Sequence, residues 1–105
     1  MAEWIRACLV DELPPGSMLA VGEGDERILV ANVEGSFYAV SAICTHAEAE
    51  LDDGYIEGEA VVCPLHYSCF SLKTGEVLEG PADEPVTSYP VEVRGGVVYV
   101  QREKK

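Results

Sequence analysis

The chain has 105 residues, nearly half of them apolar, and a formal net charge of −12 at neutral pH. This length allows one domain with one modest core, and the composition is that of a globular protein. The acidic charge argues against nucleic acid or an anionic membrane surface as a partner. No apolar run approaches the roughly 20 residues of a membrane span, and no basic, apolar leader is present, so we expect a cytoplasmic protein with reduced thiols.

The first part of the chain predicts short strands separated by turns. Residues 3–9 alternate, with Ile5, Ala7 and Leu9 on the face opposite Cys8, which is typical of a half-buried strand. Pro and Gly then interrupt the pattern at 13–16. Further strands are predicted at 18–21, 27–33 and 37–41, with turns at 22–25 and 34–36.

The second part continues in the same way. Residues 51–54 predict a turn in which Gly54 supplies a positive φ angle. Strands are predicted at 55–56, 60–62, 70–72, 77–78, 86–94 and 97–101, with hairpin turns at 73–75 and 95–96. Because no stretch keeps a helical period over three turns, we expect an all-β fold, a small antiparallel β-sandwich or barrel.

Two short motifs carry the chemistry of the chain. Cys44-Thr45-His46 and Cys63-Pro64-Leu65-His66 are separated by 16 residues and together offer two thiolates and two imidazoles. This donor set suits either a zinc site or a two-iron cluster. A catalytic pair of Cys63 with His66 is disfavoured, because no orienting third group accompanies it.

The other two cysteines lie outside these motifs. We interpret Cys8 as a packed small side chain on the first strand. Cys69 either packs in the same way or lines the shell of the metal centre.

The two motifs stand in a longer pattern, with L-D-D-G at 51–54, V-V-C-P-L-H at 61–66 and F-S-L-K-T-G at 70–75. In this the chain closely resembles the Rieske ferredoxin family. The resemblance implies a single Rieske domain over 1–105, with a cluster-binding subdomain inserted at about 43–72. It implies one 2Fe–2S cluster, bound through one iron by Cys44 and Cys63 and through the other by His46 and His66.

The resemblance also points to one branch of the family. Respiratory relatives link their two cluster loops by a disulfide, and the corresponding positions here are Ala49 and Leu65. We therefore expect the soluble, lower-potential ferredoxin branch. Such a protein is not itself an enzyme. It is a monomeric carrier that takes electrons from a flavin-dependent NAD(P)H reductase and passes them to a terminal aromatic-ring-hydroxylating oxygenase.

Two alternatives come from other functional classes. One is a Rieske-like small subunit of an NADH nitrite reductase, and the other is a zinc-binding interaction module. A separate question concerns the acidic residues between the motifs, which form either a solubilising surface or a docking field for basic partners. These residues are Glu48, Glu50, Asp52, Asp53, Glu57 and Glu59.

Overall fold

Short strands dominate the computed structural model, which describes residues 4–22, 27–43, 50–64, 67–80 and 84–101. Within these ranges eleven strands form three antiparallel sheets. The strands are β1 (Trp4–Leu9), β2 (Met18–Val21), β3 (Ile28–Val33), β4 (Ser36–Ser41), β5 (Tyr55–Glu57), β6 (Ala60–Val62), β7 (Cys69–Ser71), β8 (Val77–Glu79), β9 (Ser88–Tyr89), β10 (Val91–Arg94) and β11 (Val97–Gln101).

The terminal sheet has the order β1-β11-β10 and joins the two ends of the described chain. Its first strand departs from the predicted alternation, because the register with β11 shifts between Arg6 and Cys8. This β-bulge changes which face the following side chains occupy. Cys8 is therefore buried and Leu9 is exposed, so the regular alternation predicted for residues 3–9 does not hold beyond the bulge.

The central sheet has the order β2-β3-β4-β9. All six residues of β3 are buried, because both faces of this strand are covered. The turn between β3 and β4 has positive φ at Glu34 (51°) and Gly35 (96°), as a two-residue hairpin turn requires, and it falls within the tight turn predicted at 34–36. That prediction is confirmed.

The predicted strand at 86–94 is two strands in different sheets. β9 pairs with β4 in the central sheet, whereas β10 pairs with β11 in the terminal sheet. Pro90 lies between them and has no backbone N–H to continue a ladder. The prediction of one continuous strand is wrong for that reason.

The small sheet has the order β5-β6-β7-β8 and covers Tyr55 to Glu79. A 3-10 helix at Leu51–Asp53 precedes it, and another at Val10–Glu12 follows β1. No helix within the described ranges is long and apolar enough to span a bilayer. The all-β, antiparallel prediction is confirmed, while the 43–72 boundary of a subdomain remains a prediction.

Two apolar clusters lie on opposite faces of the central sheet. One fills the space between the central and terminal sheets and includes Cys8, Val30 and Val98. The other joins the central sheet to the small sheet through Leu29, Val40 and Phe70, among others. Burial of such side chains stabilises by roughly 1.5–3 kcal/mol each, so the small sheet is held by the same core that buries β3.

Candidate metal centre

The residues on either side of the segment that carries the first motif are paired with each other. Ile43 and Glu50 form an isolated antiparallel bridge, and the Leu51 N–H donates to the Ala42 carbonyl at 2.7 Å. Leu51 and Ala42 are both fully buried. Residues 44–49 therefore lie between two ends that are fixed to each other by backbone hydrogen bonds.

The second motif lies in the hairpin between β6 and β7. Cys63 follows β6 directly, its N–H donates to the Ser68 carbonyl at 2.8 Å, and its carbonyl accepts from the Tyr67 N–H at 3.1 Å. Tyr67 has a φ of 60° and its side chain is 64% exposed, whereas Cys63 and Ser68 are buried. The hairpin thus presents an aromatic ring outward beside a thiol that points into the protein.

The bases of the two segments are in direct contact. The Cα of Gly54 lies so close to the Val62 carbonyl that an added Cβ would be 1.9 Å from its oxygen. Leu51, from the first segment, and Cys63, from the second, belong to the same buried cluster. Consequently the chain that follows the first motif packs against the strand that delivers the second.

Gly54 also corrects a prediction from the sequence. Its φ is −90°, so no positive φ angle demands glycine there. Glycine is required because a side chain would collide with the backbone of β6.

Of the four predicted ligands, Cys63 lies within the described residues, whereas Cys44, His46 and His66 lie outside them. Cys63 is fully buried, in apolar surroundings, as a free thiol. Among the described residues no group of three or more His, Cys, Asp or Glu side chains could hold a metal ion. A buried thiol at the end of a strand suits a thiolate ligand on the inner iron of a cluster, and the four-residue ligand set remains a prediction.

The acidic residues that lie between the two motifs fall into those that form ion pairs and those that do not. The Arg27 guanidinium pairs with Glu50 through Nη1 and with Asp52 through Nη2, the latter at 3.2 Å. Lys73 pairs with Glu59 at 2.6 Å. Asp53 and Glu57 are exposed and have no ion pair among the described residues, and Glu48 lies outside them.

Arg27 is a residue that the sequence did not single out beyond the start of a strand. One signal was available, since Arg27 is the one basic residue between Arg6 and Lys73. A single cationic side chain in so acidic a stretch is expected to form ion pairs with carboxylates, and Arg27 forms two, with Glu50 and Asp52.

The remaining thiols differ in environment. Cys8 is buried in the apolar cluster between the central and terminal sheets, which confirms its interpretation as a packing residue. Cys69 is half-buried, and its thiol lies 3.8 Å from both the Tyr67 carbonyl and the Glu79 carboxylate. Burial, followed by the negative charges of Glu79 and Glu57, raises the pKa of Cys69 above its ordinary value.

Comparison with known proteins identifies what this arrangement resembles. The family described as Rieske [2Fe-2S] domain matches residues 3–90. The 3-phenylpropionate/cinnamic acid dioxygenase ferredoxin subunit of Escherichia coli (strain K12) is 43% identical over 97 residues, which is 91% of each chain.

Two solved structures are similar over almost the whole chain. One is a complex of reduced oxygenase and oxidized ferredoxin in carbazole 1,9a-dioxygenase, with a TM-score of 0.93, 35% identity, and coverage of 97% of this chain and 95% of that one. The other is a putative NADH-dependent nitrite reductase small subunit from Mycobacterium tuberculosis, with a TM-score of 0.87, 26% identity, and coverage of 98% and 97%.

Proposed function

The chain belongs to the Rieske [2Fe-2S] family, and we propose that it carries one electron at a time from an NAD(P)H-dependent flavin reductase to a terminal aromatic-ring-hydroxylating oxygenase. It has one Rieske-type 2Fe–2S cluster. The relatives are ferredoxin subunits of dioxygenase systems, so the chain is an electron carrier and not the component that performs the oxygenation.

Four side chains are proposed to hold the cluster. Cys44 and Cys63 supply thiolates to the inner iron, and His46 and His66 supply imidazoles to the outer one. The burial of Cys63 supports this division, because it places a thiolate on the side away from water. When bound, the cluster accepts and releases one electron, and two neutral imidazoles in place of two thiolates make its reduction easier.

The described residues around Cys63 exclude solvent from the inner side of the site. Ala42, Leu51 and Phe70 are fully buried and belong to the same cluster as Cys63. Because protein excludes water on one side of the site and the loops lie on the other, electron exchange with a partner is confined to the loop side. Backbone hydrogen bonds hold both loop bases, from Leu51 N–H to the Ala42 carbonyl and from Cys63 N–H to the Ser68 carbonyl.

The complex of oxygenase with ferredoxin in carbazole 1,9a-dioxygenase supports the choice of acceptor. The flavin reductase, the monomeric state and the cytoplasmic location are proposed from the family resemblance. We place the docking surface at the loop end of the small sheet, where Tyr67 is 64% exposed and Tyr55 is 50% exposed. Asp53 adds unpaired negative charge beside this end and Glu57 adds more at the other end of β5, which suits a partner with an apolar patch surrounded by basic side chains.

The single observation that carries the function is the match of the Rieske family over residues 3–90, together with similarity to a ferredoxin subunit over 91% of the chain. The test is to purify the protein, to measure iron and acid-labile sulfide, and to record the EPR spectrum after reduction. We expect two irons and two sulfides per chain, with an average g value below that of ferredoxins with four Cys ligands. A colourless protein with stoichiometric zinc would establish the interaction-module alternative instead.

The nitrite reductase alternative is supported by the similarity to the small subunit from Mycobacterium tuberculosis. It differs in its assembly, because a permanent subunit stays with its enzyme. We expect the purified chain to be a monomer that is reduced by a ferredoxin reductase and reoxidised by a terminal oxygenase. Failure of electron transfer to any such oxygenase, with tight retention by a nitrite reductase, would favour the alternative.

A further inference from the structure

We propose that Arg27 is a positioning residue for the first cluster loop, fixing both ends of segment 44–49 through its guanidinium and its carbonyl. The inference rests on the proposed function, in which that segment supplies Cys44 and His46. It concerns a residue that lies outside both motifs, 17 positions before the first predicted ligand.

The contacts of Arg27 reach both sides of the loop. On the side where the chain enters, the Arg27 carbonyl accepts a hydrogen bond from the Ala42 N–H at 3.0 Å. On the side where it leaves, the guanidinium binds the carboxylates of Glu50 and Asp52. Glu50 is itself the bridge partner of Ile43, so one residue connects the two ends and reinforces their pairing.

The chemistry of this contact requires arginine. A planar guanidinium offers separate N–H groups to two acceptors, and here Nη1 takes Glu50 while Nη2 takes Asp52. A lysine ammonium keeps the charge but lacks the fixed fork. The Arg27 side chain is about three-quarters buried, which limits competition from water and from salt.

Removal of Arg27 would leave two carboxylates side by side at the base of the loop. The Asp52 Oδ1 is already buried without a hydrogen-bond partner among the described residues. Without the guanidinium, Asp52 Oδ2 would lose its partner too, and the exit of the loop would lose its link to the residue whose carbonyl holds the entry. Because reduction adds negative charge to the cluster, loss of this cation also makes reduction harder.

The test compares Arg27→Gln, Arg27→Lys and a matched control, Lys73→Gln. Lys73 also pairs with a carboxylate, that of Glu59, but it follows β7 at the end of the small sheet opposite the Cys63–Ser68 hairpin. Each holoprotein is characterised by the rate of iron loss to a chelator, by the midpoint potential, and by hydrogen exchange at Leu51, whose N–H closes the loop. The β3 amides report global opening.

For Arg27→Gln we expect iron loss and Leu51 exchange to be about tenfold faster, the lower end of the effect of removing a group that orients metal ligands. The β3 amides should exchange as in the wild type, and the midpoint potential should fall. Arg27→Lys should keep the wild-type potential because its charge remains, yet still show faster Leu51 exchange because the fork is lost. Lys73→Gln should match the wild type in all three measurements.

Two outcomes would overturn the inference. One is that both Arg27 variants match Lys73→Gln in iron loss and Leu51 exchange. The other is uniform acceleration at Leu51 and in β3, which would mean a general structural role. If Arg27→Gln does not fold, Arg27→Lys alone decides between these results. Failure of the proposed function would be seen separately, as a wild-type protein without iron or with zinc.

Discussion

The contact between Gly54 and Val62 makes a sharp prediction about the fold of the site. In Gly54→Ala, the new Cβ would lie 1.9 Å from the Val62 oxygen and 3.1 Å from its carbonyl carbon, and real Cβ atoms essentially never approach within 3.0 Å. The two backbones must separate by about 1 Å, and neither can yield by a side-chain rotation. Overpacking of this kind costs typically 1–3 kcal/mol, and we expect about 3 kcal/mol because the obstacle is backbone.

For a domain of this size, about 3 kcal/mol lowers the melting temperature by roughly 12–20 °C. The shift also moves Leu51 away from Cys63, so iron content should fall. The measurements are thermal unfolding and iron per chain. The matched control is Gly58→Ala in the β5–β6 turn, where nothing lies within 4 Å but φ is +62°. It should cost about 1 kcal/mol of backbone strain and leave the iron content unchanged.

A result in which Gly54→Ala is no less stable than Gly58→Ala, with full iron content, would refute the steric argument. It would indicate that the loop base can widen at little cost. The coupling between the two motifs would then reside elsewhere.

Two further predictions follow from the charges of the described residues. Asp53→Lys and Glu57→Lys should slow reduction by the reductase several-fold at low salt without changing the visible spectrum, and the difference should vanish near 1 M salt, where the screening length is about 3 Å. The control is Glu34→Lys, which makes the same charge change at the turn between β3 and β4. Equal reduction rates for all three variants at every ionic strength would show that the acidic surface is only solubilising. Cys69, whose pKa is raised above the ordinary 9.0 by burial and by Glu79, should react slowly with iodoacetamide at pH 8 and faster as the pH rises above 9. Glu79→Gln should lower the pKa of Cys69 and increase its rate of reaction at pH 8 several-fold. Because a raised thiol pKa means that the folded state favours the protonated thiol, the stability linked to Cys69 should be lost as the pH rises through the raised pKa.

Local patterns in the sequence were sufficient for most of the strands. The turn at Glu34 and Gly35 was predictable from Gly35, because glycine adopts a positive φ without steric cost and that requirement is local. The four successive apolar residues at 28–31 likewise indicate a buried strand, and Asn32 is the polar exception within it. In both cases the physical cause lies within a few residues of its effect.

The errors share a different origin. The bulge in β1 depends on its register with β11, about 90 residues away, which no local alternation reports. The need for glycine at 54 comes from the carbonyl of Val62 in another strand, and the turn composition suggested a φ requirement that does not exist. Pro90 could be read from the sequence. The sequence does not show, however, that the strands on either side of Pro90 belong to different sheets, because that depends on the sheet topology.

For the site, the motifs predicted ligand types, but not the support around them. Cysteine and histidine at these spacings specify a donor set because few other roles need all four residues together. The ion pairs of Arg27 join its guanidinium to the carboxylates of Glu50 and Asp52, which lie 23 and 25 positions further along the chain. Such a contact follows from sheet order and not from spacing.

The acidic residues between the motifs, read as one group in the sequence, thus serve two physical purposes in the structure. Glu50 and Asp52 share the partly buried side chain of Arg27, where salt screens the interaction less than it screens exposed charges. Asp53 and Glu57 face solvent without an ion pair among the described residues, so their effect on a partner acts over several ångströms and is screened by salt. We therefore predict that the integrity of the first loop and the rate of partner association depend on different members of the same acidic stretch, and that salt separates the two effects.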